Sequence, residues 1–194
     1  MQKQVAVISG PTGSGETTIT NVIIARFPKR ASRLVTATTR PPRDDEVHGR
    51  DYYFLSKDEF KQATLDGRIP EYTYTENRDT YYGSYLPDLE EKLAGGLVIF
   101  VNADIVGAKY YKNRFASVNI FVVPESIEAL ERRIRERSPG LGDAEIKHRK
   151  ENAIAEIEKE KSYYDYVVVN ADGKLDEAVD EVVEILKKEG YTLR

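Results

Sequence analysis

Cysteine is absent from the 194 residues of the chain. This absence excludes disulfides, thiolate metal sites and thiol nucleophiles together, and it suits the reducing cytoplasm in which we expect the protein. The chain also lacks an apolar run near the ~20 residues that a membrane span needs, and its first apolar run is too short for a signal peptide. Because the formal net charge is -4, no basic field favours nucleic acid or membrane as a partner.

What is present is the composition of a globular protein, with 40% hydrophobic and 32% charged residues. Short apolar runs alternate with amphipathic segments of helical period, which is typical of a parallel sheet with helices on both faces. We find no internal repeat and no low-complexity tract, so we predict one domain over residues 1–194. The stretch 34–86 is richer in strand patterns and tyrosine, and it is predicted to be an insertion that stands off the core sheet.

The segment ISGPTGSGETT follows a predicted strand and opens a predicted helix. It fits the phosphate-binding pattern GxxxxGK[ST], in which glycines let backbone N–H groups turn towards phosphate oxygens and a hydroxyl can bind Mg²⁺. The helix N-terminus adds partial positive charge. Thr17 is the candidate metal ligand. The predicted phosphate cradle consists of Gly10, Pro11, Thr12, Gly13, Ser14, Gly15, Glu16, Thr17 and Thr18.

Glu16 breaks this pattern, because the general motif has a lysine at its position. That lysine normally reaches the terminal phosphates and neutralises charge during transfer. Glutamate changes the local charge by two units, and one charge pair at about 4 Å is worth roughly 4 kcal/mol at an effective dielectric constant near 20. The sequence therefore predicts weak binding of the nucleotide and a large loss of rate.

A second informative stretch is TATTRPPRDDEVHGRDYYF, in which Arg40 and Arg43 flank two prolines. Two arginines on a rigid backbone can grip one phosphate through several charge-assisted hydrogen bonds. Further on, Tyr82 offers a hydroxyl to a phosphate, and Glu71 offers a carboxylate that could accept from the N1–H and exocyclic amine of guanine. Taken alone, Arg40 and Arg43 are better explained as solvated surface residues, and Glu71 as a surface charge.

The order of these pieces resembles the guanylate kinase family over nearly the whole chain. The matching segments are ISGPTGSGETT, TATTRPPRDDEVHGRDYYFLSKDEF, YYGS, RIRERS, KHRKENAIAEIE and YDYVVVNAD. The resemblance implies a P-loop NTPase three-layer α/β fold with a parallel core sheet, an inserted small GMP-binding sheet domain and a helical lid. The core would take about residues 1–33, 87–125 and 151–194, the insertion 34–86 and the lid 126–150.

The same resemblance implies a kinase that uses Mg²⁺ and converts ATP and GMP into ADP and GDP. It implies that the GMP phosphate is bound by Arg40, Arg43, Tyr52 and Tyr82. It implies that the guanine base is bound by Thr36, Glu71 and Ser84, with Asp104 near the GMP. It places Asn170 near the adenine of ATP, and Arg137 and Arg149 in the lid, where with position 16 they would form the catalytic set. Without the resemblance, the lid arginines would be interpreted as a solvated helix face.

Several residues depart from the family. Besides Glu16, Asn102 stands where an aspartate is usual, Val106 replaces a glutamine, and the stretch from Glu71 to Tyr82 is about two residues longer. Two alternatives therefore stay open beside an impaired guanylate kinase. One is a GMP-binding or protein-interaction module with little or no transfer activity, and the other is a kinase for another small phosphorylated acceptor. The chain could be a monomer or a homodimer.

Overall fold

The computed structural model describes residues 3–193, with Asn77 described by its backbone only. Positions 1, 2 and 194 of the predicted core lie outside the described residues. In chain order the elements are β1 (Val5–Ser9), α1 (Glu16–Arg26), β2 (Ala31–Arg33), β3 (Ala37–Thr38), β4 (Tyr53–Phe54), α2 (Lys57–Leu65), β5 (Tyr72–Thr75), β6 (Thr80–Gly83), α3 (Leu86–Ala94), β7 (Val98–Val101), α4 (Ile105–Phe115), β8 (Val118–Pro124), α5 (Ile127–Arg137), α6 (Asp143–Glu160), β9 (Tyr166–Asn170) and α7 (Leu175–Lys188).

Five parallel strands form the core sheet in the order β2-β7-β1-β8-β9. Alternate residues of β1 point to opposite faces, as the period of a strand requires. Ala6 and Ile8 join a buried cluster with α1 and α7, whereas Val5 and Val7 join a second cluster with α3 and α4. Because helices cover both faces, the central strands are continuously apolar. The predicted three-layer α/β fold is confirmed.

The second sheet has the order β4-β3-β6-β5 and mixes parallel with antiparallel pairs. It has a small core of its own, formed by Ala37, Phe60, Ala63 and Ile69. Its helix α2 begins at a capping box, in which Glu59 N donates to Ser56 Oγ at 3.2 Å and Ser56 N donates to Glu59 Oε2 at 2.7 Å.

Helices α5 and α6 form a third group with a separate buried cluster of Leu130, Ile134, Ile146 and Ala153. The division into core, insertion and lid stays a prediction, and α6 extends past the predicted end of the lid at residue 150. Among residues 3–193, no helix combines the length and the apolar composition needed to cross a membrane.

The sequence analysis did not find two of the elements. Helix α4 buries Gly107, Ala108 and Tyr111, and this mixture of small and aromatic residues shows no regular apolar stripe. Strand β2 is only three residues long and pairs only with β7, so its pattern is too short to recognise. Both elements are identified by their neighbours in the fold rather than by a local periodicity.

The carboxyl ends of the parallel strands meet at one edge of the core sheet, where ligands bind in folds of this kind. The phosphate loop follows β1 at this edge, Asn102 follows β7, and Asn170 is the last residue of β9. The phosphate loop, Asn102 and Asn170 therefore lie at the same edge of the core sheet.

Candidate active site

The phosphate loop connects β1 to α1 and is held from behind by the end of β9. Asn170 Nδ2 donates to the carbonyl oxygen of Ser14 at 2.8 Å. Gly15 has φ 93°, and a Cβ atom there would lie 2.2 Å from Asn170 Nδ2. Only glycine therefore fits at position 15, for reasons of both backbone conformation and space. Asn170, which the resemblance places near adenine, fixes the loop with its amide group.

A cleft of about 580 Å³ opens in front of the loop, and we call it the loop cleft. Its walls are the phosphate loop, helix α5 and the connection from β9 to α7. The predicted residues that line it are Thr12, Gly13, Gly15, Glu16, Thr17, Thr18, Arg137 and Asn170. Pro11 and Ser14 are buried instead, and Ser14 Oγ has no hydrogen-bond partner within residues 3–193.

Arg133 also lines the loop cleft, although the sequence analysis did not single it out. Its guanidinium donates to the carbonyl oxygen of Asn170 at 2.8 Å and to Asp172 Oδ1 at 2.6 Å. A further N–H group lies 3.4 Å from the carbonyl oxygen of Gly13. Arg133 thus joins the loop, β9 and α5, and its position four residues before Arg137 was the only sequence signal for it.

Glu16 is half-buried at the start of α1. Desolvation and the nearby Glu156 raise the pKa of Glu16 to about 8, and Arg137 opposes this shift. The carboxyl group therefore retains its proton at neutral pH when no nucleotide is bound. Replacement of lysine by a neutral carboxyl group removes one attraction for phosphate but adds no repulsion, so the electrostatic loss at neutral pH is smaller than a two-unit change implies.

Glu156 on α6 is a second carboxyl group close to Glu16. Desolvation, with Glu160 and Asp104 as charged neighbours, raises the pKa of Glu156 to about 7. Neither Glu156 nor Glu160 has a motif that the sequence analysis could recognise, because their proximity to the phosphate loop depends on how α6 packs.

A smaller cavity of about 170 Å³ lies between the second sheet and the end of β7, and we call it the base pocket. Six of the eight residues predicted to bind GMP line it, which are Thr36, Tyr52, Glu71, Tyr82, Ser84 and Asp104. They come from four separate segments of the chain, and the fold brings them together at one cavity. Arg40 and Arg43 are the two predicted residues that do not line it.

Glu71 is fixed at the wall of the base pocket. Its Oε1 atom accepts a short hydrogen bond from Ser84 Oγ, and desolvation raises its pKa. Gly107 of α4 makes the approach possible, because a Cβ atom there would lie 3.4 Å from Glu71 Oε2 and 2.7 Å from the Cβ atom of Ala103. Behind these groups, the buried hydroxyl of Tyr111 has no hydrogen-bond partner in the described part of the chain.

Asp104 and Asn102 both have structural contacts at the end of β7. Asp104 Oδ1 accepts from the backbone N–H groups of Val106 and Gly107 at 3.0 and 3.2 Å and so caps α4. Thr73 Oγ1 donates to Asp104 Oδ2 at 2.5 Å. Asn102 Nδ2 donates to the carbonyl oxygen of Ile8 at 3.1 Å, a contact that an aspartate could not make because it has no N–H donor.

Arg40 is held by a carboxylate that the sequence analysis missed. Its guanidinium makes two hydrogen bonds of 2.8 Å to Glu46 and lies over the ring of Tyr52, with Cζ 5.5 Å from the centroid. This pairing raises the pKa of Arg40 above its ordinary value. Glu46 also accepts from the backbone N–H of Arg43 at 2.8 Å. The two arginines therefore do not form a free clamp, because Glu46 already occupies most of the fork of Arg40.

A third cavity, of about 610 Å³, separates the loop from the second sheet, and we call it the arginine cleft. Four arginines line it, which are Arg43, Arg78, Arg137 and Arg149. Arg149 Nε donates to Glu145 Oε1 at 2.9 Å. The cleft shares Thr12, Gly13 and Arg137 with the loop cleft. The structure thus brings three predicted arginines together and adds Arg78, which was not predicted.

Comparison with known proteins agrees with this geometry. Residues 2–189 match the family described as guanylate kinase. The guanylate kinase of Geobacter metallireducens is 39% identical over 184 residues, covering 94% of this chain and 87% of that protein. The guanylate kinase of Synechocystis sp. is 35% identical over 188 residues, covering 96% and 94% of the two chains.

A structural comparison gives the same result. The crystal structure of guanylate kinase from Anaplasma phagocytophilum matches with a TM-score of 0.72 and 26% identity, covering 99% of this chain and 89% of that one. The loop cleft, the base pocket and the arginine cleft therefore lie in a chain that belongs to the guanylate kinase family.

Proposed function

We propose that the protein is a kinase that transfers the γ-phosphoryl group of ATP to GMP and releases ADP and GDP. The observation that carries this proposal is the position of the arginine cleft. It opens onto the phosphate loop through Thr12 and Gly13, and it reaches the second sheet at Thr75 and Arg78. A donor phosphate on the loop and an acceptor phosphate from the base pocket could therefore meet among positive charges.

The base pocket supports guanine as the acceptor base. The Glu71 carboxylate could accept hydrogen bonds from both the N1–H and the exocyclic amine of guanine, a pair of donors that adenine does not offer. Ser84 positions Oε1 of this carboxylate, which leaves Oε2 and the second lone pair of Oε1 to accept from the base. A site that pairs buried polar groups with a base strongly rejects a base that leaves them unpaired.

The transfer itself needs positioning and positive charge, with no covalent enzyme intermediate. An oxygen of the GMP phosphate would attack the γ-phosphorus in line, and the bond to the β,γ-bridging oxygen would break. Arg43, Arg137 and Arg149 face the cleft where negative charge must be stabilised. Closure of the lid would exclude water, which could otherwise accept the phosphoryl group.

The residues fit a Mg²⁺ ion that is bound mainly by phosphates and water. Within residues 3–193 no group of three or more histidine, cysteine, aspartate or glutamate side chains is placed to hold a metal ion. Such a sparse protein contribution is usual for Mg²⁺ in phosphotransferases. Thr17 is exposed in the loop cleft and could provide one hydroxyl ligand. When bound, Mg²⁺ would neutralise charge on the ATP phosphates.

Glu16 favours one alternative, a module that binds GMP but transfers phosphate slowly or not at all. Arg137 is the charged residue best placed to compensate for the missing lysine. It interacts electrostatically with Glu16 and lines both the loop cleft and the arginine cleft. The cytoplasmic location and the choice between monomer and homodimer stay predictions.

A coupled assay of ADP release tests the proposal, with GMP, AMP, CMP or UMP as the acceptor. Of these four acceptors, we expect only GMP to support turnover. We expect Glu16→Lys to raise kcat by at least tenfold, since one recovered charge interaction exceeds ~1.4 kcal/mol. Calorimetry should show equal GMP affinity in the two proteins. Turnover with AMP at the rate of GMP would reject guanine selectivity, and GMP binding without turnover in either protein would favour the binding module.

A further inference from the structure

The turn between β5 and β6 carries a guanidinium that the proposed function leaves unused. Arg78 is the last residue of a short 3-10 helix, Glu76–Arg78, in this turn. The turn belongs to the stretch that is about two residues longer than is usual in the family. Arg78 is exposed and lines the arginine cleft opposite the lid residues Arg137 and Arg149.

The backbone around Arg78 is held by specific contacts. Thr80 Oγ1 donates to the carbonyl oxygen of Arg78 at 2.8 Å. The next residue, Asp79, adopts a left-handed conformation with φ 48°, and its carboxylate accepts from Tyr74 OH at 2.9 Å and from Lys57 Nζ. These contacts tie the turn to β5 and to the start of α2. Arg78 is therefore presented from a defined position, although its side chain is exposed.

The arginine cleft has an excess of positive charge, which favours binding of an anion. Arg43, Arg78 and Arg137 form no salt bridge with another described residue, and Glu145, the carboxylate of the lining, is paired with Arg149. The three guanidinium groups of this cavity that lack a carboxylate partner in the described part of the chain repel each other, and a bound anion would reduce this repulsion. Guanidinium groups bind phosphate oxygens through two parallel N–H donors, so a polyphosphate is the chemical class that fits.

We propose that Arg78 binds phosphate oxygens of the two nucleotides and supplies, from the acceptor side, positive charge that Glu16 does not supply. This proposal rests on the proposed function for the identity of the ligands. The longer turn and the changed residue of the phosphate loop are then linked, because both face the same phosphates from opposite walls. Arg78 contacts the substrates in this assignment and is a residue for binding and charge stabilisation.

Binding of inorganic tripolyphosphate, measured by calorimetry at low salt, tests Arg78 without requiring activity. Arg78→Met should weaken binding by about tenfold or more, as the loss of one charge-assisted contact implies. Arg78→Lys should retain part of the affinity. The matched control is Arg30→Met, since Arg30 is also exposed but precedes β2 at the opposite edge of the sheet, and it should bind as the wild type does.

Turnover separates this proposal from the proposed function. We expect Arg78→Met to lower kcat with GMP by at least tenfold and to weaken GMP binding, while Tm changes little. Wild-type affinity and kcat in Arg78→Met would overturn the role of Arg78 and leave the kinase intact. Tripolyphosphate binding that depends on Arg78, in a wild type without GMP-dependent turnover, would support the anion contact and reject the kinase. Absence of tripolyphosphate binding in the wild type would overturn the proposal. If Arg78→Met does not fold, the affinity and kcat of Arg78→Lys and Arg78→Gln test the role of Arg78 by the same criteria.

Discussion

Glu16 shows how one residue can be placed correctly by the backbone and still differ in chemistry from the motif around it. The N-terminus of α1 favours a negative charge, yet burial and Glu156 favour the protonated form. The second effect is larger, since the pKa of Glu16 lies at about 8. At neutral pH the residue thus acts as a polar group without charge, and phosphate binding depends on backbone N–H groups and on the surrounding arginines.

The raised pKa predicts how folding stability changes with pH. An acid whose folded-state pKa is raised stabilises the fold fully below its unfolded-state pKa, and this contribution is lost as the pH rises through the folded-state value. For Glu16 the window runs from the ordinary glutamate pKa of 4.5 to its raised pKa of about 8. As the pH rises between these limits, we expect Glu16→Gln to gain stability relative to the wild type by up to about 5 kcal/mol, since each pKa unit corresponds to ~1.4 kcal/mol.

Denaturant unfolding at several pH values from 5 to 8 measures this difference. Glu184→Gln is the matched control, because Glu184 is exposed on α7 and pairs only with Lys187 among the described residues. It should follow the pH profile of the wild type. Parallel profiles for the wild type and Glu16→Gln would show that Glu16 is ionised throughout this range.

At the scale of elements, the N-terminus of α4 connects the two sheets. Asp104 caps this helix and accepts from Thr73 of β5, while Gly107 of the first turn leaves space for Glu71. The helix that the sequence analysis missed therefore positions the carboxylate proposed to select guanine. The departures from the family at Asn102 and Val106 lie beside the same helix end, and Asn102 ties β7 to β1.

Substitution of Asp104 tests this connection. Asp104→Ala removes the cap and the Thr73 contact, so we expect a loss of about 1 kcal/mol of stability, typical of a lost N-cap, together with weaker GMP binding. Asp104→Asn keeps a capping oxygen and should lose less stability. Unfolding curves and GMP calorimetry measure both effects. Ser126→Ala, which removes the cap of α5, should cost similar stability but leave GMP affinity unchanged, and equal GMP affinity in Asp104→Ala would contradict the link.

At the scale of the whole molecule, three groups of elements have separate buried clusters. The clusters of the second sheet and of the α5–α6 pair contain four fully buried hydrophobic residues each, whereas the core sheet is covered by two larger clusters. Small cores allow the outer groups to move as units relative to the central sheet. The arginine cleft lies where the two outer groups face each other across the phosphate loop.

Hydrogen exchange measures this motion. A bisubstrate analogue, in which five phosphates join adenosine to guanosine, should protect the amides of α5, α6 and the β5–β6 hairpin, because it would join both outer groups through the arginine cleft. The strands β1, β7 and β8 should exchange at unchanged rates. GMP alone should protect the hairpin but not the lid helices. Equal protection of all elements would indicate global stabilisation by the ligand and would contradict closure of the outer groups.

Local hydrophobic patterns in the sequence were sufficient to predict most of the fold. Alternating short apolar runs and amphipathic segments predicted the parallel α/β architecture, because central strands that are buried on both faces have no polar side. Helix α4 and strand β2 were missed because their stability comes from packing rather than periodicity. Among the site residues, the phosphate-loop motif and the family resemblance predicted the loop and the six residues that line the base pocket. The contacts of Arg40 with Glu46 and of Glu16 with Glu156 have no sequence signature.

The sequence by itself determined the family, the parallel α/β architecture and the position of the phosphate loop between β1 and α1, since these depend on residue type, spacing and order along the chain. Only the tertiary structure decided which charges meet. It placed Glu156 beside Glu16, occupied the fork of Arg40 with Glu46 and brought Arg78 into one cleft with Arg137 and Arg149. Electrostatic interactions depend on distance and burial across the fold, and neither quantity can be inferred from separation along the chain.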